Sequence, residues 1–283
     1  MTVTLPAARR FLLCEARLLE RLVAGTLFDG EDAGGPLAAL AAYRNDDGGF
    51  GHGLEPDVRA QASQPLDVEI AFGVMDTIGR VDGELVIGAC DFLRSIGPGV
   101  GCLRESALVE PKAPHWEEWA DNPSLNPTAG LAAYLWKWDL DHPWRDEATA
   151  FCLGELGSGL PGDAHTLGEV LALLDALPDV GRAEALLPDV ERALPDLALF
   201  NLEPATDYGL TPLHFATSPA SRWRRLFADD VIDRHLDALA NAQDDDGGWP
   251  ISWETVGPAA RQEWRGIETV RALRTLRAYG RLG

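Results

Sequence analysis

Positive charge is scarce in this chain of 283 residues: 24 Lys and Arg stand against 45 Asp and Glu, a net charge of -21. A surface that acidic repels phosphate backbones and anionic headgroups, so nucleic acid and anionic membrane surfaces are excluded as main partners. Cysteine is scarce too. Cys14, Cys90, Cys102 and Cys152 include no C-x-x-C pair, and none has a histidine at zinc-ligand spacing. The expectation is four reduced thiols in a cytoplasmic protein that carries no zinc. No stretch reaches the ~18 apolar residues of a membrane span. The Arg9-Arg10 pair opens no export signal either, because Glu15, Arg17, Glu20 and Arg21 break the apolar run that follows. Alternating strand patterns are missing.

What remains is helical. Hydrophobic residues make up 46% and charged residues 24%, which is enough apolar content for a core without disulfides or metal. Leu12, Leu13, Leu18, Leu19 and Leu22 recur at helical spacing. Similar periodic segments fall near 65–78, 83–95, 127–138, 143–157, 164–177, 182–194, 221–242 and 264–279. About eleven helices of ~10–18 residues result, joined by Gly- and Pro-bearing loops.

Two segments repeat. Asn45-Asp46-Asp47-Gly48-Gly49-Phe50 and Asp244-Asp245-Asp246-Gly247-Gly248-Trp249 each follow a helix, and each precedes another helix that carries a glutamate, Glu69 or Glu268. The two copies align without a gap. Self-similarity of this kind marks a repeated helical unit. The glycines permit a sharp reversal, the aspartate caps free amides, and the aromatic residue folds back as an apolar plug. This is packing chemistry, with no phosphate-loop character, since no strand precedes and no Gly-Lys-Ser/Thr follows.

Gln243-x-x-Asp246-Gly247-Gly248-Trp249 resembles the QW motif of the terpene cyclase and protein prenyltransferase superfamily, and Asp47-Gly48-Gly49-Phe50-Gly51-His52-Gly53 is similar to the Gly-Gly-Phe-Gly-Gly stretch of prenyltransferase β-subunits. The resemblance implies an all-α fold, an (α/α) toroid of helical hairpins around a central, largely apolar cavity, with residues 1–283 as a single domain. It implies a hydrophobic, prenyl-like small molecule in that cavity. It also aligns Asp67-Val68-Glu69-Ile70-Ala71 with the proton-donating stretch of class II cyclases, which puts Glu69 in the acid's place but without the aspartate and threonine that normally follow. There is no Asp-x-Cys pair for a prenyltransferase zinc, so no cofactor is expected, with Mg²⁺ only if the substrate is a diphosphate.

The candidate residues carry two readings each. On a helical wheel Asp67 falls inside the apolar stripe of residues 65–79, while Glu69, Gly73 and Asp76 share the other side. Asp67 and Glu69 either cap and complement their own helix N-terminus or act as a general acid made protonated by burial. His52, Glu55, Asp57 and Arg59, with Trp253 and Glu254 in the second copy, are either a solvated turn or the mouth of the cavity. Trp116 and Trp119, in the Pro-rich stretch 111–127, suit a ligand platform or a lid. Asp229-Asp230-x-x-Asp233 spells a magnesium-diphosphate motif but also suits the first turn of a helix. Arg271, Arg274 and Arg277 read as a solvated face. Three functions stay open: a proton-donating cyclase or isomerase on a hydrophobic ligand, a non-catalytic binding or scaffold toroid, and a glycan-active toroid that uses paired carboxylates such as Glu55 and Asp57.

Overall fold

A computed structural model describes residues 3–117 and 122–282. Among these the chain is helical, with twelve α-helices and only isolated β-bridges, such as Arg44 with Phe50. Local signals set many of the helix ends. Helix α4 (Pro65–Ile78) starts on a proline and stops at Gly79, whose φ of 65° an L side chain adopts poorly. Helix α5 (Gly83–Ile96) starts where the Asp82 carboxylate accepts the amides of Glu84 and Leu85, and α8 (Ala164–Ala176) starts where Asp163 accepts that of Thr166. Helix α12 (Pro258–Ala278) begins six residues before the periodicity suggests, because Pro258 opens it.

The other helices are α1 (Leu5–Glu15), α2 (Leu18–Ala24), α3 (Gly34–Ala41), α6 (Leu125–Lys137), α7 (Pro143–Leu156), α9 (Val180–Ala193), α10 (Pro212–Phe215) and α11 (Asp229–Asn241). The contacts run in sequence and then return. α2 touches α4, α4 touches α6, α6 touches α8, and α8 touches α10; α10 touches α11, α11 touches α12, and α12 touches both α2 and α1. One hydrophobic cluster extends through these helices from Val3 to Leu276. A smaller one, around Val58, Leu66, Cys102 and Leu103, lies under Trp116.

The two Asp-Gly-Gly turns have the same hydrogen bonds. Asn45 N donates to Gly49 O and Asp244 N to Gly248 O, both at 2.9 Å. Asp47 accepts from Gly49 N and Asp246 from Gly248 N, both at 3.0 Å. Gly48 (φ 88°) lies against the backbone of Gly88 and Gly49 against Phe92, one turn apart on α5; Gly247 (φ 95°) lies against Ala7 and Gly248 against Phe11, one turn apart on α1. A Cβ on any of these glycines would collide with the helix beneath it. Phe50 is fully buried, and Trp249 is buried with its Nε1 donating to Leu239 O at 2.8 Å.

Among the described residues no helix is long and apolar enough to cross a membrane.

Candidate functional site

Glu69 of α4 meets a second carboxyl. Glu169, on α8, lies within hydrogen-bonding reach of it, and the two interact across Gly130 of α6. Gly130 makes this possible: a Cβ there would stand 3.0 Å from Glu69 Oε1 and would overlap Glu169 Oε2. One turn on, Gly73 of α4 leaves room for the Tyr134 hydroxyl, which would lie 3.3 Å from a Cβ at that position. A turn further, Asp76 and Lys137 close the seam with a 2.7 Å ion pair. Glu69 and Glu169 are each half-buried, so the pair keeps some accessible surface. Burial raises both carboxyls above their usual range, and for Glu69 the charge of Glu169 adds to it. Two carboxyls this close cannot both ionise cheaply, so the pair retains a proton at neutral pH.

Glu169, but not Glu69, is among the side chains that line an open cavity of about 820 Å³ formed by α6, α8 and the segment 210–223, with Asp76 of α4. Its wall mixes apolar residues such as Leu171 and Phe215 with polar ones: Glu169, Tyr134, His165 and His214. Carboxyl, phenol and imidazole groups from α6, α8 and α10 thus share the wall with apolar side chains. His165 accepts or donates a 2.9 Å hydrogen bond with the Tyr208 hydroxyl and stacks on its ring. His214 Nδ1 takes the Thr211 amide at 2.9 Å. Burial lowers the pKa of both histidines, and the Arg271 guanidinium lowers that of His214 further, so both rings are neutral near pH 7.

Asp67 has a different position. It is fully buried, and it does not cap its own helix. Its Oδ1 accepts the Glu55 amide at 2.6 Å and so holds the loop 54–57, while Oδ2 has no partner. Glu55 and Asp57, expected in a solvated loop or at a cavity mouth, are both buried. Glu55 Oε2 accepts the Asp57 amide at 2.6 Å. Asp57 then bridges to the second copy of the repeat, accepting Trp253 Nε1 at 2.9 Å and the Val256 amide at 3.0 Å. Burial pushes Asp67 up to about 8 and raises Glu55 as well, with the Asp57 and Asp67 charges adding to the latter. Arg59 pairs with Glu263 at 2.8 Å. His52 is exposed, and its Nε2 lies 2.9 Å from Asn45 Oδ1, which braces the turn. Glu254 is exposed. Trp253 packs edge-on against Tyr208 and Trp264. Trp116 packs on the smaller core cluster, and Trp119 lies outside the described residues.

The Asp229, Asp230 and Asp233 carboxylates are exposed and paired with Arg224, Arg234 and Arg281, as surface charges on a helix start. Among the described residues no group of three or more His, Cys, Asp and Glu could hold a metal ion. Arg271 is half-buried, while Arg274 and Arg277 are exposed, as a solvated face requires, and the three border a second, open cavity of about 450 Å³. Sequence reasoning missed Glu169, Tyr134, His165 and His214 as a group. They come from three helices distant in the chain, and apart from the i, i+4 spacing of His165 and Glu169 on α8 no short-range pattern links them.

No protein-family model matches this chain. No match emerges among curated proteins or solved structures either.

Proposed function

We propose that this chain is an (α/α) toroid enzyme, similar to terpene cyclases and prenyltransferases, that donates a proton from the Glu69–Glu169 pair to a small molecule in its cavity. The observation that carries this reading is the close carboxyl pair itself, for which Gly130 leaves room beside the cavity that Glu169 lines. Support for the toroid comes from the return of helix contacts from α12 to α2 and from the two like turns seated on α5 and α1. Glu69 lacks the neighbouring aspartate of a cyclase acid, and Glu169 supplies a second carboxyl from another helix. The substrate is amphiphilic, with an apolar part against Leu171 and Phe215 and a polar part toward His165 and His214.

Chemically, the proton shared by the pair moves to an unsaturated or basic atom of the substrate. The two carboxylates left together then take a proton back from the product cation. Such a cycle suits isomerisation or cyclisation, in which no net proton is consumed. Glycoside hydrolysis fits less well. Its two carboxyls stand about 5–5.5 Å or about 6.5–9.5 Å apart, not hydrogen-bonded to each other. Glu55 and Asp57, the other carboxyl pair considered, are committed to tying the loops together.

The test is turnover of a panel of prenyl and hydroxylated amphiphiles by the parent, Glu69→Gln and Glu169→Gln. Each variant should melt like the parent and lose about 10²–10⁴-fold in rate. The parent's activity should fall as pH rises above neutral, where the pair loses its remaining proton. Parent-level turnover in both variants would sink the reading, and saturable binding with no turnover by the parent would favour a binding module.

A further inference from the structure

The second cavity has a positive wall. Its lining comprises Arg271, Arg274 and Arg277 of α12 with Thr217, Ser218, Thr275 and Ala278, and no carboxylate. Arg271 is already engaged, paired with Glu268 and beside His214. The other two are not. Among the described residues neither Arg274 nor Arg277 forms a salt bridge, although acidic groups outnumber basic ones nearly two to one in the chain and most of its arginines are paired. Arg274 donates to Thr77 Oγ1 of α4 at 2.7 Å, and the nearby Asp76 carboxylate is taken by Lys137. Arg277 donates to Leu27 O at 2.5 Å and lies 4.7 Å over the Phe28 ring. Each guanidinium is thus oriented by a neutral acceptor, which fixes its direction without an ion pair, although the Asp76 charge still acts on Arg274.

We propose that Arg274 and Arg277, with the Thr217 and Ser218 hydroxyls, bind an oxyanion, a carboxylate or a phosphate. Planar guanidinium forks match either group bidentately, and hydroxyl donors complete the shell. The cavity shares Thr217 with the larger one, so a ligand can occupy both. Thr77, which holds Arg274, is eight residues along α4 from Glu69. At the helical rise this places the oxyanion about 12 Å along the helix from the proton donor. The oxyanion would therefore be the far end of the substrate, an anchor that takes no part in proton transfer. That it belongs to the substrate rests on the larger cavity being a reaction site; that it binds does not.

Calorimetric titration at low ionic strength with inorganic phosphate and, separately, with acetate tests this on the intact protein. One of the two anions should saturate the parent and so identify the source. Arg274→Gln and Arg277→Gln should each weaken that binding at least tenfold while melting like the parent. Arg277→Gln guards against misfolding of the first variant, since it leaves the Thr77 bond in place. Arg261→Gln, on the exposed part of α12 outside the cavity, and Glu169→Gln should bind the anion like the parent. No saturable binding of either anion, or undiminished binding in the double arginine variant, overturns the proposal. Anion binding that follows the arginines while Glu69→Gln and Glu169→Gln keep full turnover would leave the anion site standing and remove the general acid instead.

Discussion

A methyl group at position 130 would run into the far end of the Glu169 side chain. Because that end is flexible, Gly130→Ala should move the carboxyls apart more than it strains the backbone. Alanine also gains about 1 kcal/mol of helix propensity, against an overpacking cost of about 1–3 kcal/mol. The expected outcome is a melting point close to the parent's and a lower titration range for the two glutamates, read from carboxyl carbon shifts by NMR; an unchanged titration would mean that Glu169 does not depend on this gap. Asp67 makes a separate pH prediction. Its folded carboxyl titrates at about 8, whereas an unfolded aspartate titrates at about 3.9. Between these values the folded chain keeps a proton that the unfolded chain has lost, so this group's stabilisation is full at low pH and declines as pH rises toward about 8. Denaturant melts of Asp67→Asn at pH 5, 6.5 and 8 should show a flatter decline than the parent; identical slopes would refute it. The wheel of residues 65–79 made both behaviours partly legible. It grouped Glu69 with Gly73 and Asp76, the three positions that face α6, and put Asp67 among the apolar residues. It could not supply Glu169, since a periodicity describes one helix face and not the side chain that arrives opposite it.

Elements defined by local chemistry were legible, and those defined by tertiary contact were not. Proline starts, glycine stops and aspartate caps mark α4, α5 and α8 in the sequence itself. The loop 53–59 is polar and turn-rich, yet Glu55 and Asp57 are buried in it, because a second loop, 253–256, folds over and donates to Asp57. Likewise the arginine face of α12 borders a cavity only because segment 217–218 rises beside it. The Asp-Gly-Gly-aromatic turns are the most sharply defined elements. Trp249 is 3% exposed and bonded to the end of α11. Trp249→Ala should cost about 3–5 kcal/mol in a chemical melt. A shift much smaller than this would mean that the neighbouring helices collapse into the gap.

Across the whole molecule the first and last helices hold each other. Thr4 N donates to Gln243 Oε1 at 3.0 Å, Gln262 Nε2 donates to Glu15 at 3.0 Å, and the Arg265 guanidinium lies 4.6 Å over the Phe11 ring. A double-mutant cycle of Phe11→Leu and Arg265→Gln should give a coupling of about 0.5–2 kcal/mol, although the two are far apart in sequence. Additive effects would show that the ends of the chain are not energetically joined. The offset between the repeats was legible in the sequence, but this seam was not: it pairs a helix that contains no motif, α1, with the second glycine turn.

That seam sets an order of events on the ribosome. The part of α1 that carries Ala7 and Phe11 meets Gly247, Gly248 and Arg265 only when residues 243–270 have been made. At about 5–20 residues per second, the nascent chain carries this apolar strip uncovered for roughly 10–50 s. During that interval it is a natural target for chaperones that hold growing chains, and a chain stalled before the second glycine turn would leave it exposed for good.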